Sequence, residues 1–429
     1  MNATFLTDLE TRMDSDLGRM TLTGETGNRH GAFAAVADGE QAVAELRADD
    51  PSLGATLAAT GGLEALNLLH VRRVVVRAEN PAMGQALTQA GYNMKADHYE
   101  LPLHLSFVER NVRVVFAGGV VGSRELLRAM IRRGALPVLA IGYDASLRDR
   151  SGYADLGPLC DDNAIPLLRT NNINHPKVVE AVRKAAPDYL CVFGFSQMVG
   201  LELLGLPRLG ALGMHPTKLP EGRGRAPIPW TLIKGLTRSA VTLYWLNERV
   251  DAGELADQRP MAITRHDDAA TLYDKVVAAQ IAQLEETLPR LIARTVPRVP
   301  QDEAAASSWP RRRPEDGVID WRLSASELYN WVRGLTHPYP GAFTLLKGRQ
   351  LQVWRAELAQ GLSAGGAEPG TVVGVMIATG EHDGSLLIAC GDGGVLALRH
   401  VQWEGEEAEF GAAHLWDWGL VGAGMRLGI

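Results

Sequence analysis

The chain has 429 residues, 46% hydrophobic and 22% charged, with 46 Gly and 22 Pro; this excludes a single small module and a disordered or fibrous chain, and implies two or three folded domains. Its 43 Lys and Arg against 50 Asp and Glu give a formal charge of −7, so no overall basic field exists for nucleic acid or anionic lipid. Three scattered cysteines, Cys160, Cys191 and Cys390, with no CxxC or Cys/His cluster, suit a reducing compartment and argue against a disulfide framework or a structural zinc. With no run of 18 apolar residues and no basic leader followed by an apolar stretch, the expectation is a cytoplasmic protein without membrane contact.

Punctuation divides the chain into residues 1–108, 110–297 and 314–429, with a linker at 298–313 inside the proline-broken stretch Val296–Pro314. In the first segment, Val71–Tyr92 reads as a strand, a turn at Asn80-Pro81, a short helix and Gly91. This stretch resembles the closing part of the GNAT acetyltransferase fold, which implies an α+β domain. Those enzymes cradle the CoA pyrophosphate in a Gly-rich turn; the matching stretch here, Asp49–Leu57, has one glycine and no basic residue. The expectation is therefore an accessory domain for substrate recognition or homodimer contacts. Asp97-His98-Tyr99-Glu100 reads as alternation on an edge strand.

The middle segment alternates buried strands with helices. Val112–Phe116 is an apolar run followed by Gly118, Gly119 and Gly122, and Ser123 is the expected N-cap of a helix carrying Leu126, Leu127, Met130 and Ile131 on one face. Further strands are predicted at Leu136–Ile141 and Tyr189–Phe193, and Asp267 or Asp268 opens a long amphipathic helix through Leu288. The fold class is α/β, a doubly wound, mostly parallel sheet whose function lies at loops beyond the carboxyl ends of its strands. The turn Gly118–Ser123 has GGxxG spacing rather than GxGxxG, and reads as a tight strand-to-helix turn in preference to a dinucleotide site.

The chemistry is concentrated in Leu209–Trp230. His215 follows a short apolar segment at a strand end, and Pro216, Pro220, Gly222 and Gly224 shape the loop after it, so an imidazole suited to proton transfer stands at a rigid rim. Thirty-six residues on, a second strand runs into Asn247-Glu-Arg-Val-Asp251-Ala-Gly253. A carboxylate such as Asp251 beside an imidazole fixes its tautomer and favours its charged form.

His215-Pro-Thr-Lys-Leu-Pro-Glu-Gly-Arg-Gly-Arg-Ala-Pro with Asp251-Ala-Gly resembles the signature of the folate-dependent formyltransferases, which formylate amines from 10-formyltetrahydrofolate. Arg313–Trp321 and Arg333–Phe343 resemble the start of the C-terminal domain shared by methionyl-tRNA formyltransferase and the UDP-amino-sugar N-formyltransferases, an OB-like β-barrel. The likeness covers about residues 110–429. It implies that His215 moves protons, that Asp251 orients it, and that Gln197, Met198, Val199, Arg225, Asn247, Glu248, Arg249 and Val250 line the folate pocket. One position departs from the pattern: two residues before the histidine the family has an asparagine supporting the oxyanion, and this chain has Gly213. Loss of one such donor costs on the order of 3 kcal/mol, about a hundredfold in rate. Gly213 is expected to offer its own N–H, or to leave space for a water or a substrate group.

The implied activity is formyl transfer from 10-formyltetrahydrofolate to an amine or hydroxylamine of a small molecule: an amino sugar nucleotide, an amino acid derivative or a natural-product intermediate. Alternatives are a folate-binding scaffold that has lost its chemistry, and a tRNA formyltransferase. The last is disfavoured because residues 314–429 hold 7 Lys and Arg against 14 Asp and Glu, the reverse of what phosphate contacts need.

Overall fold

The computed structural model describes residues 8–14, 19–26, 29–38, 41–48, 57–58, 73–77, 81–90, 92–94, 99–102, 107, 110–148, 152–376 and 384–428. The chain forms two compact units. The first comprises Met1–Arg223, Ala240–Met261 and Val276–Ala306; the second comprises Gly224–Ser239, Ala262–Lys275 and Ser307–Ile429.

The first unit holds two sheets. At the N-terminus, β1 (Asp8–Asp14), β2 (Arg19–Thr26), β3 (Arg29–Asp38) and β4 (Gln41–Ala48) form an antiparallel meander. Strand β4 then pairs in parallel with β5 (Arg73–Val76). The sheet ends with β6 (Asn93–Met94) and β7 (Tyr99–Pro102) in the order β1-β2-β3-β4-β5-β7-β6. Its core holds Met20, Phe33, Leu46, Val74, Val76, Leu87 and Tyr92. The expected helix after Asn80 is present as Pro81–Gln89. Tyr99 and Glu100 are not on an edge, because β7 pairs with β5 on one side and β6 on the other. Asp97, His98 and the stretch 49–56 lie outside the described residues.

The second sheet runs β10-β9-β8-β11-β12-β14-β15, built from β8 (Val114–Ala117), β9 (Leu139–Tyr143), β10 (Leu167–Thr170), β11 (Tyr189–Val192), β12 (Gly210–His215), β14 (Arg238–Trp245) and β15 (Leu255–Ala262), with the two-residue strand β13 (Arg223–Gly224) outside it. Strands β8 to β12 are parallel, and β14 joins β12 antiparallel. Both faces are covered, as the continuous apolar runs require. On one face Val114, Phe116, Leu212 and Leu243 pack with Leu127 and Met130 of the helix Val121–Arg132 and with Leu284 and Leu288 of the helix Ala269–Ala293. On the other, Val115, Ala117, Leu190 and Ala211 pack with Val178 and Val182 of the helix Pro176–Ala185. The cysteines are buried, and burial pushes the Cys160 thiol up to about 11 and those of Cys191 and Cys390 to about 12, so all three stay protonated.

Strand boundaries differ from the predicted ones by a few residues; β9 begins at Leu139 rather than Leu136. Ser123 is not the N-cap. That position is Val120, and Ser123 sits at the third helical residue, where its Oγ accepts the N–H groups of Gly119 and Val120 and its hydroxyl donates to the Phe193 carbonyl at 2.6 Å. Two amides that a phosphate would need are thus engaged within the turn. Asp268 does cap the long helix, accepting the Thr271 N–H at 2.9 Å.

In the second unit, β17 (Ala342–Leu346), β18 (Arg349–Leu358), β19 (Val372–Met376), β20 (Ser385–Ala389), β21 (Val395–Trp403) and β22 (Phe410–Gly411) form an antiparallel sheet consistent with a barrel-like domain. Its core, with Trp321, Leu351, Val353, Leu386, Ile388 and Leu398, also takes Leu328 and Val332 of the helix Ala325–Leu335. A capping box between Ser324 and Glu327 starts that helix. The proline-broken stretch expected as a linker carries two short structured pieces, a 3-10 turn at Glu303–Ala305 and β16 (Ser308–Trp309). Among the described residues no helix is long and apolar enough to cross a membrane.

Candidate active site

His215 is the last residue of β12, at the carboxyl end of the parallel array, and is buried at 6% exposure. Side chains alternate along a strand, so Leu212 enters one core while Gly213 and His215 share the opposite face, with Tyr244 and Thr242 directly across on β14. The following loop is tied down by side chains. The Thr242 hydroxyl donates to the Thr217 carbonyl at 2.6 Å, and the Gln258 amide donates to the Leu219 carbonyl and to Thr242 Oγ1 at 2.9 and 3.0 Å. The loop closes at Gly222, whose φ of +72° suits glycine, and its carbonyl lies 2.8 Å from His215 Nε2. A carbonyl only accepts, so Nε2 carries the hydrogen and Nδ1 of the neutral ring is an acceptor. Nδ1 faces Asp251 Oδ2 at 3.6 Å.

Asp251 is reached through Asn247–Val250. Asn247 Oδ1 accepts the Arg249 N–H at 2.9 Å, an Asx turn, and Asp251 takes a left-handed φ of +50°, which aspartate tolerates better than branched residues. Gly253 is demanded by space: a Cβ there would stand 1.6 Å from the Trp245 carbonyl oxygen, where the Trp245 N–H donates to the Glu254 carbonyl at 2.8 Å. The Asp251 carboxylate is gripped on its other oxygen by the Tyr244 hydroxyl, which donates to Oδ1 at 2.6 Å.

The segment 298–303 buttresses this loop. The Gln301 amide donates to the Asp251 and Gly253 carbonyls at 2.9 and 2.7 Å, and its Oε1 accepts from Arg223 Nε and Nη2 at 3.1 and 2.7 Å. Buried Arg223 and exposed Arg249 both pair with Glu303, at 2.9 and 2.8 Å, and these two guanidinium hydrogen bonds lower the Glu303 carboxyl to about 2. Sequence reasoning missed Tyr244, Gln301 and Glu303. Tyr244 reads there as ordinary strand alternation, and the other two stand in the stretch that looks like a linker.

The residues expected at the folate pocket take different situations. The Gln197 side chain is committed at both ends, donating to the Asn171 carbonyl at 2.6 Å and accepting the Ile173 N–H at 2.9 Å. Met198 is 47% exposed, and its carbonyl accepts from Asn174 at 2.8 Å. Val199 is buried in the core beside Phe195, against which Leu246 also packs, so the loops after β11 and β14 flank one apolar cluster. Asn247 is half-buried, whereas Glu248, Arg249 and Val250 are exposed. Arg225, in the second unit, is exposed, and its N–H donates to the Trp309 carbonyl at 3.0 Å. Of the alternatives expected for Gly213, open space is not found on its Cβ side, where a Cβ would meet Leu246 Cδ2 at 2.7 Å and the Tyr244 ring at 3.2 Å.

Chemically, a buried imidazole nitrogen and a carboxylate oxygen face each other as two acceptors, an arrangement completed by a proton or by an N–H cation. Structural comparison finds the same fold in HypX from Aquifex aeolicus in complex with tetrahydrofolic acid (19% identity, TM-score 0.50, 72% of this chain and 48% of that one). It also finds WlaRD, a sugar 3N-formyltransferase solved in the presence of dTDP and 5-N-formyl-THF (15%, 0.50, 69% and 98%). A third is the N-formyltransferase of Helicobacter canadensis in complex with folinic acid and dTDP-3-aminofucose (16%, 0.50, 67% and 99%). The chain spans about half the length of HypX. Family models described as "Formyl transferase" and "Formyl transferase, C-terminal domain" match residues 122–288 and 312–414, together more than half of the sequence, in the order and at the places where His215, Asp251 and the C-terminal sheet lie. The chain therefore belongs to the formyltransferase family.

Proposed function

We propose that this protein transfers a formyl group from 10-formyltetrahydrofolate to the amine or hydroxylamine nitrogen of a small molecule, with His215 and Asp251 handling the proton. The observation that carries the reading is the pairing of Nδ1 with Asp251 Oδ2 at 3.6 Å while Nε2 is held by the Gly222 carbonyl. 10-Formyltetrahydrofolate supplies the activated formyl carbonyl. A primary amine reaches the site mostly as an ammonium ion, and Asp251 and Nδ1 together attract and orient its N–H bonds. Nδ1 takes one proton, which leaves the nitrogen lone pair available for attack. The imidazolium so formed has an acceptor for each N–H, Asp251 on one side and Gly222 on the other, so its charge is stabilised without reorganisation. Nδ1 then releases its proton to the folate nitrogen as the bond between that nitrogen and the formyl carbon breaks, and takes up the second N–H proton of the attacking nitrogen and passes it to water, so that the products are the formamide, tetrahydrofolate and one H+.

The residues suit a flat pterin. Gln197 and Asn174 hold the loop 195–200 rigid, Met198 lies exposed on it, and Phe195, Val199 and Leu246 give it an apolar floor. Gln197 serves this site by ordering the loop, and Asn247–Val250 form its opposite lip. Amino sugar nucleotides are the favoured acceptor class, since WlaRD is described as a sugar 3N-formyltransferase, the Helicobacter canadensis enzyme was solved with dTDP-3-aminofucose, and each is matched over nearly its whole length. The N-terminal sheet, with its parallel β4–β5 junction, serves as a GNAT-like accessory domain for acceptor recognition. Incubation of the pure protein with 10-formyltetrahydrofolate and a panel of amino sugar nucleotides, amino acids and hydroxylamines, followed by mass spectrometry, tests the reading. A product heavier by one formyl group and stoichiometric tetrahydrofolate are expected. Folate binding without turnover on any acceptor favours the scaffold alternative.

A further inference from the structure

Gly213 and Tyr244 sit directly opposite each other on β12 and β14, and their relationship gives Tyr244 a task that the reading above leaves unassigned. The tyrosine is buried at 6% exposure, its ring packed with Leu219 and Leu255 and lying over the Gly213 backbone. A Cβ at residue 213 would stand 2.7 Å from Leu246 Cδ2, the movable end of a side chain, and 3.2 Å from both Cε1 and Cζ of that ring, so any side chain there would push the ring by a few tenths of an ångström. With the ring there, its hydroxyl reaches Asp251 Oδ1 at 2.6 Å, while Oδ2 of the same carboxylate faces His215 Nδ1.

We infer that Tyr244 is a positioning residue for formyl transfer, locking the Asp251 carboxylate so that Oδ2 faces Nδ1, and that Gly213 lets its ring lie close against β12. The inference deepens the formyl-transfer reading and rests on it. Asp251 stands at a left-handed backbone position on a loop tip with its side chain 14% exposed, and its carboxylate must take one χ1/χ2 setting for Oδ2 to face Nδ1. Gln301 in turn holds the Asp251 main chain, through the Asp251 carbonyl. Burial and the Asp251 charge hold the Tyr244 phenol well above its ordinary range, so it remains a donor at any working pH. The absence of a side chain at residue 213 thus accompanies a polar group supplied from the neighbouring strand.

The test is Tyr244→Phe, which keeps the ring and removes the hydroxyl, read by crystallography and by steady-state kinetics. In the variant, Oδ2 is expected to leave Nδ1 for separations beyond about 4 Å, kcat to fall about 10- to 100-fold, and KM for both substrates to stay within twofold. A carboxylate that stays in place, or one that moves while kcat stays within twofold, overturns the inference. Gly213→Ala provides a second variant that leaves the hydroxyl intact. It is expected to turn Leu246 aside, shift the ring by a few tenths of an ångström, lengthen the Tyr244–Asp251 bond and lower kcat by less than Tyr244→Phe does, and an unmoved ring with wild-type kcat contradicts the close fit of ring and glycine. If the wild-type protein formylates no acceptor, the formyl-transfer reading has failed by itself, and the carboxylate geometry in Tyr244→Phe alone decides whether Tyr244 positions Asp251.

Discussion

Gln301 donates both hydrogens of its side-chain amide to the backbone of the Asp251 loop, to the Asp251 carbonyl at 2.9 Å and to the Gly253 carbonyl at 2.7 Å. A residue fifty positions downstream of Asp251 therefore fixes the main chain that carries the carboxylate. Gln301→Ala removes both bonds and leaves two carbonyls and the Arg223 guanidinium short of a partner. A stability loss of about 2 kcal/mol is expected in urea denaturation, together with a fall of about tenfold in kcat.

Gly253→Ala is expected to be more damaging although it adds one methyl group. With the new Cβ 1.6 Å from the Trp245 carbonyl oxygen, the obstacle is backbone rather than a flexible side chain. The hairpin between β14 and β15 must open, at a cost of about 3 kcal/mol, and turnover should be lost. Thermal melting checks the stability cost, and initial-rate assays check the turnover.

How far the sequence discloses this site depends on the kind of interaction. His215 and Asp251 are visible because proton chemistry needs rare residue types and the stretches around them have a recognisable pattern. The parallel sheet is visible because Val114–Ala117 and Tyr189–Val192 are apolar on both faces. Gln301 and Glu303 are hidden because their partners lie 48 to 80 residues away, at the loop around Asp251 and at Arg223, and nothing local marks a polar residue among prolines as a buttress. Tyr244 is hidden for another reason: a strand tyrosine looks the same from sequence whether its hydroxyl meets water or a carboxylate. The filled space at Gly213 follows from that same ring and is equally invisible. Helix and strand starts slip by two or three residues because short apolar runs lack internal punctuation, as at Leu136–Ile141.

Glu303 makes an acid-dependent contribution whose sign is fixed by its partners. Arg223 and Arg249 lower its carboxyl from 4.5 to about 2 in the folded protein, so the unfolded chain takes up that proton first. The contribution is fully present above about pH 4.5 and disappears as the pH falls from there towards 2. In urea titrations, wild-type protein should exceed Glu303→Gln in stability by a constant margin between pH 5 and 8, and the two should converge at about pH 2. An equal difference at pH 2 and pH 7 would show that packing, not charge, separates them.

The acceptor pair gives different expectations for its two members. Asp251→Asn replaces a carboxylate oxygen with a neutral amide beside Nδ1, so the protonated ring loses its counter-charge while the loop keeps its Gln301 ties. A drop of about a hundredfold in kcat with little change in folate affinity is expected, measured by initial rates and by fluorescence titration with tetrahydrofolate.

The most direct measurement is single-turnover formyl transfer to an accepted amino sugar nucleotide by wild-type protein and by His215→Ala, with enzyme in excess over 10-formyltetrahydrofolate. A loss of about a thousandfold or more in the rate of the chemical step, with folate still bound, is the expected result for a base at Nδ1. Transfer by His215→Ala at the wild-type rate would contradict it.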